Sequence, residues 1–335
     1  MIDKKGNILI FVLLLVVLPL SVIIASAIGV VNIPLTDILN VILSKIGLSS
    51  SNVPAHFEVT LLQLRFPRII MSVLVGAALA ACGCVFQSIF RNPICDPYIL
   101  GISSGSSLGG AISFIMGWNL LFFGVTIPAL VTGLLTLLLI LGINRMSRKA
   151  NVETLLLVGI AVNFLISAVI TLLMVLNQQE MHKIIFWTMG SLASVSWIEL
   201  AMMAVMTLIC VFPFFYYAKD LNIMQIGNSV AQNLGVNTKK VTCTCLIFSS
   251  LLIASAVSFC GVIGFIGLII PHIVRILFGN NMRTMLVFSL LFGAFFLLVA
   301  DTLARTMATP SELPVGSITA LAGAPYFLFL LLRKK

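Results

Sequence analysis

Charged residues divide this chain into long apolar intervals. A helix needs about 20 apolar residues to cross about 30 Å of hydrocarbon. Residues 6–36, 69–90, 154–179, 200–218, 284–300 and 313–332 each predict one crossing. Residues 97–144 are long enough for two, divided at Gly117-Trp118-Asn119, where a helix breaker stands beside an interfacial aromatic. Residues 241–274 also exceed one crossing. Gly261, Gly264 and Gly267 interrupt them, and Pro271 is expected in the first turn of a short second helix. Ten spans are expected in all. Residues 184–198 are too short to cross and contain Trp187, Gly190 and Trp197, so they predict an interfacial loop or half-helix.

Composition supports this pattern. Of 335 residues, 60% are hydrophobic and 9% charged, with a mean hydropathy of +1.19. A soluble domain carries about a quarter charged residues, so the chain is expected to be an all-α, polytopic membrane protein forming a single transmembrane domain. Ten crossings put both termini on one side, and that side collects 14 of the 19 lysines and arginines. The other five are Lys45, Arg65, Arg68, Lys183 and Arg305. The excess of positive charge places both termini in the cytoplasm of a plasma or inner membrane. The net charge of +9 then reads as orientation signal and lipid contact, with no nucleic acid implied. The apolar run Ile8–Val31 exceeds the ~7–15 residues of a signal-peptide core, so it reads as the first span despite Ala25-Ser26-Ala27. Seven cysteines without a C-x-x-C pair read as buried apolar filler.

The loops carry the remaining signals. Lys219 to Lys240 is the one long cytoplasmic connection. Within it, Ser229, Val230, Ala231 and Leu234 stand at helical spacing, and Gly235 is placed to end a short helix. Such a helix is either a docking knob for a partner or a lid on the bundle. Arg91-Asn92-Pro93-Ile94-Cys95-Asp96-Pro97 predicts a turn in which Asp96 caps the next helix and Pro97 opens it. Gly101, Gly105 and Gly109 then form a stripe for close helix approach. Ser103 and Ser104 beside it either line a polar route or bond the preceding turn. On the outer side, Arg65 and Arg68 share one helix face, with Glu58 as the one nearby carboxylate, and Asp301 and Arg305 are spaced for an intrahelical pair. These arginines either snorkel to headgroups or receive an acidic protein.

No catalytic motif, Walker A sequence or metal-ligand cluster is present, so neither a catalytic residue nor a metal ligand is assigned. All ten acidic residues lie in loops or near span ends, whereas ion-coupled carriers place ionisable groups at mid-membrane. The energy source is therefore expected on a separate ATPase. The alternative is a stand-alone secondary carrier of a hydrophobic solute.

Taken in order, several segments resemble the FecCD-type permeases, the transmembrane subunits of type II ABC importers for ferric siderophores, haem and cobalamin. They are Leu64-Arg65-Phe66-Pro67-Arg68, Arg91-Asn92-Pro93 with Asp96-Pro97, Leu100 to Gly105, Leu234-Gly235-Val236, Gly264 to Ile273, Asp301 to Arg305, and Glu312 to Pro325. The resemblance implies a homodimer of ten-helix subunits above two ATP-binding subunits, which use ATP and Mg, while this chain holds no cofactor. It implies that Ser229, Val230, Ala231, Leu234 and Gly235 form the ATPase-coupling helix. It also implies that Arg65, Arg68 and Arg305 meet acidic residues of an extracytoplasmic substrate-binding protein. Ferric siderophore is the expected cargo on family frequency. The sequence departs from the family at Asn151-Val152-Glu153-Thr154, where relatives carry small hydroxyl residues near the gate and this chain has a carboxylate.

Overall fold

The computed structural model describes residues 4–29, 31–45, 47, 53–147, 152–309 and 311–333. The turn over residues 148–151 and the side chains of Val152 and Glu153 lie outside that description. The helices run α1 (Lys4–Ala27), α2 (Leu35–Lys45), α3 (Ala55–Val59), α4 (Phe66–Ile89), α5 (Ile102–Ile115), α6 (Thr126–Met146), α7 (Val152–Leu176) and α8 (Gln178–Thr188). They continue as α9 (Trp197–Tyr216), α10 (Ala218–Ile226), α11 (Asn228–Asn233), α12 (Thr238–Cys260), α13 (Ile266–Phe278), α14 (Met282–Thr306) and α15 (Val315–Arg333). Among the described residues, seven helical stretches are long and apolar enough to span a membrane. The shorter α5, α13 and α15 complete the ten crossings that the charge-free intervals predict.

One helix is the axis of the bundle. α3, a π-helical turn over Thr60–Arg65 and α4 form a continuous 35-residue helix, longer than the interval 69–90 suggested. Pro67 explains the π turn: it has no N–H to donate, and its ring crowds the carbonyl four residues back, so the preceding turn widens. α4 is buried along nearly its whole length. Two glycine contacts bring its neighbours close. A Cβ on Gly76 would strike Gly293 of α14, and one on Gly83 would strike Gly267 of α13. Without a hydrophobic drive between helices in lipid, such backbone approach is a main source of cohesion.

α5 and α13 have 14 and 13 residues, about 20 Å of helix at 1.5 Å per residue, less than a bilayer core. Each is preceded by non-helical chain. Asp96 caps a 3-10 turn over Pro97–Leu100 by accepting from Tyr98 N at 2.8 Å, and Gly101 at φ +72° then redirects the chain into α5. The expected single helix from Pro97 is thus broken at Gly101, because a left-handed residue cannot continue it. The corresponding segment before α13 runs from Gly261 (φ +68°) to Phe265 (φ +70°). The two segments pack on one another: Tyr98 Oη donates to Ile263 O at 3.0 Å, and Pro97 lies against Gly267. Irregular backbone survives in a membrane bundle where protein covers it.

Pro271 departs from expectation. It sits inside α13, six residues in, and not in its first turn. A proline there leaves the carbonyl of Gly267 without its helical donor. The α4 side chain Gln87 supplies the substitute, donating Nε2 to Gly267 O at 3.3 Å and to Leu268 O at 3.1 Å. Residues 184–198 follow the half-helix reading, with α8 ending at Thr188 and Gly190 turning at φ +80°. Six of the seven cysteines are buried and Cys243 is exposed, so the filler reading fails at that one position.

Candidate functional site

Chemistry concentrates at the two ends of the bundle. At one end, Arg65 closes the π turn and Arg68 follows in the first turn of α4, while Asp301 and Arg305 lie near the end of α14. Arg68 Nε meets Asp301 Oδ1 at 2.9 Å, and its Nη1 meets Glu312 at 2.8 Å. Arg305 Nε pairs with Asp301 Oδ2 at 3.2 Å, as the i,i+4 spacing predicts. The remaining donors reach the end of α1. Arg65 donates to Ser26 O at 2.5 Å and to the Val31 carbonyl, and Arg305 Nη2 donates to Ala25 O at 3.2 Å. The last carbonyls of a helix have no partner within it, and two guanidinium groups supply those partners here.

These arginines do not snorkel. Arg65 and Arg68 are 7% exposed and Arg305 is 4% exposed, and Asp301 is fully buried. Glu58, the sequence neighbour expected to serve them, pairs instead with Lys45 at 3.0 Å. Asp301 and Glu312 were not visible as partners of Arg68 because more than 230 residues separate them. Three guanidinium groups against two carboxylates leave the cluster with one net positive charge.

At the opposite end, α10 is fixed to the bundle. Gln225 Nε2 donates to Ser88 Oγ at 3.1 Å, and Asn222 Oδ1 accepts from Met282 N at 2.7 Å. α11 follows and stops as its sequence requires. Gly235 is left-handed at φ +84°, Val236 N donates to Ala231 O at 2.9 Å and Gly235 N donates to Gln232 O at 3.0 Å. These are the two bonds of a glycine-terminated helix. Ala231 is buried, whereas Val230 and Leu234, one turn apart, are 41% and 64% exposed. Ser229 lies beside them in the same short helix.

The other expected residues sort toward packing. A Cβ on Gly105 would collide with Thr136 of α6, and one on Gly109 with Thr132 and Pro128. Ser103 and Ser104 are buried, and Ser104 Oγ donates to Gly101 O at 2.8 Å. Asn92 Oδ1 accepts from Ile94 N at 3.0 Å to hold the turn, and Pro93 faces α13 and α15 at Ile269, His272 and Tyr326. Thr154 is half-buried in the first turn of α7.

Residues 13–333 match the FecCD transport family. This chain belongs to that family. Among relatives of this FecCD protein, a hemin transport system permease of Yersinia pestis is 36% identical over 278 residues, covering 82% of this chain and 83% of the relative. A cobalamin import system permease of Halobacterium salinarum is 39% identical over 279 residues, covering 83% and 75% respectively. Among solved structures, an inward-facing metal-chelate type ABC transporter superposes with a TM-score of 0.84 at 31% identity, covering 97% of this chain and 99% of that one. The FecCD chain is therefore a multi-pass membrane protein and the permease subunit of an ABC importer. The alternative of a stand-alone carrier does not hold. Permeases of this family are generally non-enzymatic subunits of a larger transporter complex.

Proposed function

We propose that the chain imports an iron chelate, with ferric siderophore as first choice, as a homodimer working by alternating access. Haem and cobalamin remain in the same class through the relatives named above. In this reading the α11 end faces the cytoplasm, as the 14 cations on that side favour. Ser229, Val230, Ala231, Leu234 and Gly235 engage one of two ATP-binding subunits, which use ATP and Mg. The substrate-binding protein docks over Arg65, Arg68 and Arg305, and the turn ending in Val152, Glu153 and Thr154 lies at the inner gate.

The carrying observation is the apolar pair Val230 and Leu234, held outward on α11, which follows directly on an α10 bonded to α4 and α14. A lid folded on the bundle would bury these two side chains. A rigid knob transmits closure of the ATPase dimer to the helices behind it.

Docking at the arginine end has to work differently from a row of free surface cations, since all three guanidinium groups already have internal partners. An acidic partner would contest those partners and respond to the net positive field, which raises association rate more than affinity.

The experiment is uptake of labelled ferric siderophore, haem and cobalamin by proteoliposomes holding the chain, its ATPase and its binding protein. ATP-dependent accumulation of one ligand is expected. Leu234→Glu should abolish it and release the ATPase on purification while leaving the permease folded, and normal uptake by this variant would sink the coupling assignment. Glu312→Gln removes a carboxylate from the edge of the arginine cluster, and binding-protein association should then speed up. An unchanged or slower rate would remove docking from this face.

A further inference from the structure

Beside the coupling helix lies a cavity that the transport reading leaves unused. Its volume is about 670 Å³, and it opens between the ends of α4 and α6 and the beginnings of α7, α11 and α12. The wall has two chemistries. Arg91, Arg145 and Lys239 supply three exposed cations, and none forms an ion pair with any described residue. Among the described residues that line the space, none is an aspartate or glutamate. Hydrocarbon comes from Leu141, Leu155, Leu156 and Leu246 of the membrane-spanning helices, while Asn228, Gln232, Thr238 and Thr242 add neutral polar groups on the α11 and α12 side. One further polar group is unsatisfied: Asn144 Oδ1 is buried without a hydrogen-bond partner.

We infer that this cavity binds an anionic phospholipid, its phosphate at Arg91, Arg145 and Lys239 and its glycerol and upper acyl carbons against the leucines. A hydroxyl-bearing headgroup would also satisfy Asn144 Oδ1. The inference takes from the proposed function only that this end faces the cytoplasm, where the leaflet is anionic and basic pockets between helices hold lipid headgroups. Apolar lining favours lipid over a soluble anion, because an inorganic phosphate would leave the leucines wet. It also favours lipid over the ATPase surface, because these leucines belong to helices that continue into the bilayer. Asn228 and Gln232 of α11 share the cavity wall, so the lipid would touch the coupling helix and stiffen its seat on α12.

The test uses the delipidated transporter complex and native mass spectrometry. Phosphatidylglycerol should be retained and phosphatidylcholine of the same chains should not. Each cation near an anionic lipid is worth roughly fivefold in binding, so Arg145→Gln with Lys239→Gln should weaken retention about 25-fold. Arg283→Gln, a cation outside the cavity, should leave it unchanged. Cys243 gives a second readout that needs no variant, since it is exposed on the cavity wall. Phosphatidylglycerol should slow its maleimide labelling. Equal retention of both lipids, or retention indifferent to the double substitution, would overturn the site. Protection of Cys243 by glycerol 3-phosphate alone would reduce it to an anion site, and full shielding in the lipid-free complex would make the cavity an ATPase contact. None of these outcomes depends on which chelate is carried.

Discussion

Asp301 is the residue on which the arginine cluster turns. It is fully buried and receives both Arg68, at 2.9 Å, and Arg305, at 3.2 Å. Breaking a buried ion pair from one side costs about 3–5 kcal/mol, because the remaining charge is left uncompensated. Asp301→Asn should therefore destabilise the protein by an amount within that range, read in detergent as a lowered thermal unfolding temperature, with the first helix loosening earliest. A loss below about 1 kcal/mol, the median of a surface pair, would mean the cluster is solvated in the assembled protein. Half of this cluster was legible from the sequence. The Asp301–Arg305 pair follows from helical spacing alone, whereas Arg68–Asp301 needs α4 and α14 side by side. What brings them together is Gly76 against Gly293, and an unaligned sequence gives no reason to match those two glycines.

At the scale of elements, the helices that fall short of a full span are informative. α13 carries an internal proline and begins after a left-handed Phe265, a conformation disfavoured for a bulky residue. Gln87 holds the resulting gap closed by donating to two α13 carbonyls. Gln87→Leu removes both bonds and should destabilise the protein by about 1–3 kcal/mol, the cost of leaving buried acceptors unmade. Chemical denaturation in mild detergent would measure it, and a neutral result would show that water reaches Gly267. The sequence marks the glycine interruption before α13 but misplaces its start, because Pro271 has the pattern of a helix opener. Here a donor from another helix, Gln87 of α4, serves the carbonyl that Pro271 leaves open.

The whole molecule is polar in the sense of having two unlike ends. One holds the buried arginine cluster, the other the exposed α11 knob and the basic cavity. Orientation is directly testable, since Cys243 is the single exposed cysteine and lies at the second end. A membrane-impermeant maleimide should label inverted vesicles and spare right-side-out cells. The reverse would put α11 outside and the arginine cluster inside.

The sequence by itself determined the number of crossings, the turn at Gly117, the glycine interruption before α13 and the short helix ending at Gly235. Each of these depends on residues close together along the chain: an apolar run of bilayer length, or a glycine at a turn. Tertiary structure decided which charges are free and which are consumed. It buried Arg65, Arg68 and Arg305 against α1 and α14, left Val230 and Leu234 outside, and gathered Arg91, Arg145 and Lys239 around one cavity. The reason is physical. Local propensity and hydropathy act within a few turns, but the partner of a buried charge is whichever group close packing delivers to it.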